Sequence, residues 1–151
     1  MSISQPHLHA PAAPPHTVKQ REEWFRAVFE GSALGIVVVD LQGRLMEANA
    51  AFQRMVGLPL DELRRVPFVL LGHPDDREHH ATLFHRLVDG RLSSYQLELR
   101  YLRADGGTFP ARLTTSLARD DDGRPRFCVA MLDDLTQRTR AEAERDGLEE
   151  R

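Results

Sequence analysis

Three of the chain's seven histidines, His79, His80 and His85, fall in one segment, REHHATLFHRL. Imidazoles so grouped are the first place to look for metal binding or proton transfer. Their spacing argues against a metal. Neighbours on a helix diverge by about 100°, so His79 and His80 cannot close on one ion, and no HxxxH pair exists. The single cysteine, Cys128, excludes a sulfur-ligated zinc site. The carboxylates Asp75-Asp76 and Asp120-Asp121-Asp122 have the chemistry for acid–base work, but the first pair suits a helix N-terminus and the second group suits a turn. Glu98 and Arg100 sit two apart on a strand and read as a solvated surface pair of little energetic weight. The sequence contains no glycine-rich phosphate loop, GxSxG or HExxH. These residues point to binding or sensing rather than turnover, and the chain is not expected to be an enzyme.

The elements around them follow from periodicity. Leu34–Asp40 is an apolar, β-branched run, and Gln42-Gly43 turns it into a second strand over Arg44–Ala48. Asn49 reads as the N-cap of AAFQRMVG, with Phe52, Met55 and Val56 on one face and Gly57 as its stop. Pro59 opens a short helix, PLDELRRV, and PFVLLGHPDD is an apolar loop or single turn. The longest central helix runs from Asp75 to Val88 with Leu83, Phe84, Leu87 and Val88 inward. Strict alternation over Ser94–Arg103 puts Tyr95, Leu97, Leu99 and Tyr101 on one face. After the turn Asp105-Gly106-Gly107, the residues Phe109, Ala111, Leu113, Thr115 and Leu117 continue that face. Asp120 to Gly123 turns the chain into a last strand over Phe127–Asp133. The order gives one antiparallel sheet bent around helices, able to enclose a small pocket. Phe68, Leu70, Phe84, Leu87, Leu97, Leu99, Leu113 and Val129 are its candidate lining.

Outside that body, residues 1–17 hold four prolines, three histidines (His7, His9 and His16) and few large apolar side chains. They are expected to be a disordered tail. Residues 18–31 form an amphipathic helix ending at Gly31. Its Trp24, Phe25, Val28 and Phe29 either pack on the chain's own sheet or meet a second copy. Residues 137–151 are polar and helix-prone without an apolar heptad, so they read as the start of a linker helix.

A net charge of −3 gives no electrostatic reason to expect nucleic acid, and the arginines are spread along the chain. No apolar run approaches the roughly 20 residues of a membrane span. The N-terminus lacks the layout of a secretory signal, and one cysteine suits a reducing compartment. The expectation is a cytoplasmic protein.

The pieces Gly35 through Asp40, Gly43, Asn49-Ala50-Ala51-Phe52, Gly57, Glu62-Leu63, His73-Pro74-Asp75-Asp76, Glu98 with Arg100, Asp105-Gly106 and Asp134-Leu135-Thr136 stand in the order of a PAS domain. Over about residues 24–137 the chain resembles the S-box type with its C-terminal PAC half, a sensory domain of bacterial signalling proteins. The resemblance implies an α+β fold over 32–136: a five-stranded antiparallel sheet flanked by short helices, with N- and C-terminal signalling helices. It also implies a homodimer attached to an effector such as a histidine kinase or diguanylate cyclase. Asp134 and Thr136 are then the coupling motif, and either can cap the outgoing helix so that sheet movement becomes helix movement.

The same resemblance frames the ligand. A light-oxygen-voltage domain carries a reactive cysteine in a GRNCRFLQ-like helix; here that stretch is RRVPFVLLGHP, so covalent flavin chemistry is not expected. His80 matches the proximal-histidine position of oxygen-sensing haem domains and shares a face with Phe84 and Leu87. Haem with His80 as axial ligand is therefore an alternative. Against it, the gas-binding arginine of those sensors is replaced by Leu97. An unidentified small metabolite, or a ligand-free dimer scaffold, completes the alternatives.

Overall fold

A computed structural model describes residues 17–149. Apart from Thr17, the tail expected over 1–17, with His7, His9 and His16, lies outside the described residues. The chain forms two units, one ending at Gly31 and a larger one from Ser32.

The first unit presents helix α1 (Val18–Gly31). A reciprocal cap starts it: Thr17 Oγ1 accepts from Gln20 N at 3.0 Å, and the Gln20 side chain accepts from Thr17 N at 3.2 Å. Trp24, Phe25 and Val28 are more than half exposed, whereas Phe29 is buried with its ring stacked on Phe25.

The larger unit runs β1 (Gly35–Val39), β2 (Leu45–Ala48), α2 (Ala50–Val56), α3 (Leu60–Leu63), a 3₁₀ turn (Phe68–Leu71), α4 (Pro74–Val88), β3 (Ser94–Leu102), β4 (Thr108–Arg119), β5 (Pro125–Asp134) and α5 (Thr136–Glu149). The strands form one antiparallel sheet in the order β2-β1-β5-β4-β3. The fold is α+β, as the sequence led us to expect.

Asn49 organises the first half. Its Oδ1 accepts from Phe52 N at 3.0 Å, capping α2, and also from Ile36 N at 2.9 Å, while Nδ2 donates to Leu34 O at 3.0 Å. One buried amide thus holds α2 to the entry of β1. Gly35 permits the contact: a Cβ there would lie 3.1 Å from Phe52 and 3.2 Å from the Met55 sulfur. The core then fills between the sheet and α2, the 3₁₀ turn and α4, with Phe52, Phe68, Leu87, Tyr101, Phe109 and Leu113 almost fully buried.

One facing assignment needs correction. In β5 the residues turned to the core are Cys128, Ala130 and Leu132, not Val129. Val129 pairs with Val38 and Ser116 on the sheet's outer face. Both faces of this strand carry apolar side chains, so apolar character alone does not tell them apart. However, β5 is the central strand, and small residues there leave room for the aromatic side chains beneath it.

Candidate functional site

The inner face of the sheet meets α4 in a small polar cluster inside an apolar core. His80 is 1% exposed, and its Nε2 lies 2.9 Å from the hydroxyl of Tyr95 on β3. Its ring packs edge-on against both Phe68 and Tyr95. Burial, helped by the nearby His79, depresses the imidazole pKa to about 4, so His80 is neutral near pH 7. Burial also raises the Tyr95 pKa well above that of an ordinary phenol. Thr115, its register partner on β4, opposes that rise, although Thr115 Oγ1 falls outside hydrogen-bond geometry. Tyr101 is fully buried, and its hydroxyl has no hydrogen-bond partner among the described residues. Burial likewise lifts the Cys128 thiol to about 11, so it is protonated and inert at neutral pH.

Of the expected lining residues, Phe68, Phe84, Leu87, Leu99 and Leu113 are buried in this core and Leu97 is partly buried against it. Phe84 also borders a cleft of about 260 Å³ between the β1–β2 turn and α4. Leu70 is corrected: it is 45% exposed, because the tight 3₁₀ turn sends Phe68 and Leu71 inward and Leu70 out. His80 does not fit the role of a haem ligand. Its Nε2 is committed to Tyr95, and Phe68 and Tyr95 pack edge-on against its ring. Among the described residues no cluster of histidine, cysteine or carboxylate side chains is arranged to hold a metal ion.

α4 is locked to the sheet by charge. The Asp76 carboxylate accepts from the backbone N of Arg100 at 2.9 Å and from its guanidinium at 3.2 and 3.3 Å. Those bonds to Arg100 hold the Asp76 carboxyl below its usual pKa range. Glu98 and Arg100 are therefore not a pair: Glu98 takes Arg112 instead, at 3.1 Å, because residues two apart on a strand point the same way without touching while cross-strand neighbours meet. His73 caps α4, its Nδ1 accepting from Asp75 N at 3.1 Å.

At the far end of the sheet the carboxylate of Asp134 has two tasks. Oδ1 accepts from Thr136 N at 2.9 Å and from the Thr136 hydroxyl, so it caps α5. Oδ2 lies 3.5 Å from the guanidinium of Arg103. Arg103 in turn donates to Met55 O at the end of α2 at 2.8 Å and lies over the Phe109 ring at 4.2 Å. The sequence reading missed Arg103. A signal was present: Arg103 continues the inward parity of Tyr95, Leu97, Leu99 and Tyr101, and Asp134 continues that of Cys128, Ala130 and Leu132. Opposite charges at two inward positions call for each other.

The family model for the PAS fold matches residues 23–135. The probable diguanylate cyclase DgcE of Escherichia coli (strain K12) is 31% identical over 134 residues, 89% of this chain and 12% of that protein. The sensor histidine kinase TmoS of Ectopseudomonas mendocina is 31% identical over 121 residues, 80% of this chain and 12% of its own length. This chain thus spans only a small part of the curated relatives it matches. Among solved structures, the PAS domain of a protein from Colwellia psychrerythraea has a TM-score of 0.69 at 21% identity, covering 77% of this chain and 98% of that one. With the sheet order, the flanking helices and the match over residues 23–135 in agreement, the chain belongs to the PAS family.

Proposed function

We propose that this PAS domain is a non-catalytic, cytoplasmic relay that pairs with a second copy and passes a signal through α5 to an attached effector. The effector class is a histidine kinase or a diguanylate cyclase, the two kinds of protein in which the relatives carry the matching segment. The observation that carries this reading is the shared carboxylate of Asp134. It fixes the first turn of α5 and at the same time touches Arg103, which is bonded to the end of α2. A shift of α2 or of the β3–β4 hairpin therefore reaches the cap of the outgoing helix without a further intermediary.

Pairing is supported by the exposed Trp24, Phe25 and Val28 on α1, three large apolar side chains on one short helix. No helix among the described residues is long and apolar enough to cross a membrane. The core carries two buried hydroxyls, those of Tyr101 and Thr115, that find no hydrogen-bond partner among the described residues, and a small polar guest reaching them would satisfy both. The test joins this chain through α5 to a diguanylate cyclase output domain. Asp134→Ala should leave the fold and the dimer intact while the output loses its response. An unchanged response would remove Asp134 from the relay. Trp24→Asp with Val28→Asp should give monomers by light scattering, and retained dimers would overturn the α1 contact.

A further inference from the structure

We propose that the cleft between β2 and the segment following α3 is a binding site for a phosphate-bearing small molecule, separate from the interior and from the Asp134 relay. The cleft has a volume of about 350 Å³ and is walled by Arg44, Arg64, Arg65, Val66 and Pro67. Three arginines thus line one concave space on a chain whose net charge is −3. One of them is answered: Arg64 donates to Met46 O at 3.0 Å and to Glu47 at 3.3 Å. Arg44 and Arg65 make no side-chain hydrogen bond or ion pair among the described residues. Two exposed arginines without an internal counter-charge among the described residues therefore line one cleft, and a multivalent anion bound there would answer both.

The backbone that carries these arginines is held in place. Arg44 and Pro67 form an antiparallel bridge, and Phe68 N donates to Gly43 O at 2.8 Å, so the two segments that carry Arg44 and Arg65 are pinned backbone to backbone. The bonds from Arg64 to β2 tie the end of α3 to the same strand. Fixing the backbone in this way keeps the origins of the three side chains together at one cleft and lowers the cost of gathering them on a ligand.

Planar guanidinium groups bind phosphate oxygens in pairs of parallel hydrogen bonds, which favours phosphate over a spherical anion. The apolar wall of Val66 and Pro67 offers a surface for the organic part of a phosphate ester. Free phosphate and a phosphate ester present the same chemistry to the arginines, and the experiment below distinguishes them.

The ¹⁵N-labelled chain is titrated with inorganic phosphate, pyrophosphate and adenosine monophosphate at constant ionic strength, with chloride as control. Saturable shifts should appear at Arg44, Arg65 and Val66, and R44Q and R65Q should each weaken binding by about tenfold, the equivalent of one charge-assisted hydrogen bond. Both side chains are exposed and unbonded, so these variants retain the fold, and unchanged shifts in the sheet confirm it. Tighter binding of the nucleotide identifies an ester with an organic part; equal or tighter binding of inorganic phosphate identifies the free ion. Shifts that do not saturate, that spread over arginines outside the cleft, or that persist in both variants overturn the proposal.

Discussion

The Nε2 of His80 lies 2.9 Å from the Tyr95 hydroxyl, and both rings are closed off from water. A neutral imidazole is the form this setting accepts, with its pKa near 4 against 6.5 when exposed. Between those values the unfolded chain binds a proton that the folded chain refuses, so stability falls as pH drops from about 6.5 towards 4. The loss should be on the order of 2–3 kcal/mol across that window. Asp76 acts at lower pH, its contribution being lost only as the medium falls through its own depressed pKa. Urea denaturation at a series of pH values checks this: His80→Gln, which does not titrate, should flatten the profile between pH 6.5 and 4. An identical slope in that variant would assign the pH dependence elsewhere.

Asn49 holds two buried N–H groups and one carbonyl with a single amide. Asn49→Ala would leave the N–H of Ile36 and of Phe52 without this acceptor and remove the cap of α2. The expected cost is about 2–4 kcal/mol, more than a helix cap alone gives. Asn49→Asp keeps the acceptor and loses the donor to Leu34, so it should cost less. Chemical denaturation of the two variants ranks them, and an Ala variant within about 1 kcal/mol of the parent would show that the cap is all Asn49 supplies.

Much of this was legible in the sequence because the body of the fold is written in alternation. The inward face of β3 and β4 was legible, because apolar side chains recur at every second position along most of both strands. β5 was not, because both of its faces carry apolar side chains, and Val129, expected in the lining, lies on the outer face. Leu70 failed for a different reason: in a 3₁₀ turn of four residues no periodicity accumulates. The Asn49 cap was visible from its position ahead of an apolar helical run, but its bond to Ile36 was not, since nothing local marks a contact 13 residues away. The cross-strand pair of Arg112 with Glu98 and the helix-to-sheet pair of Arg100 with Asp76 depend on register and topology, which one strand's pattern does not contain.

Gly35 is a steric requirement rather than a turn. A methyl group there meets Phe52 at 3.1 Å and the Met55 sulfur at 3.2 Å, so Gly35→Ala forces these two side chains of α2 to give by a few tenths of an ångström. Overpacking of this kind costs about 1–3 kcal/mol. Pairing the change with Met55→Ala, which frees the space beside it, should recover part of the loss. Thermal melts of the single and double variants decide it, and simple additivity would mean that the two side chains do not compete for the same space.

Arg103 and Asp134 should behave as one unit on α5. Their contact of 3.5 Å is partly exposed, so it contributes less than about 1 kcal/mol to global stability, and denaturation is the wrong instrument. Amide exchange at the start of α5 is the right one. Asp134→Ala removes the cap and should speed exchange in the first turn of α5 by roughly five- to tenfold, as loss of about 1 kcal/mol of capping requires. Arg103→Gln leaves the cap but frees the carboxylate to move, so it should produce a smaller acceleration there and a second one at the end of α2, where Met55 O loses its donor. The double variant should match Asp134→Ala at α5, because Arg103 reaches that helix through the carboxylate. Effects that add in full would mean that Arg103 acts on α5 by another route, and the line from α2 to the outgoing helix would have to be drawn without Asp134.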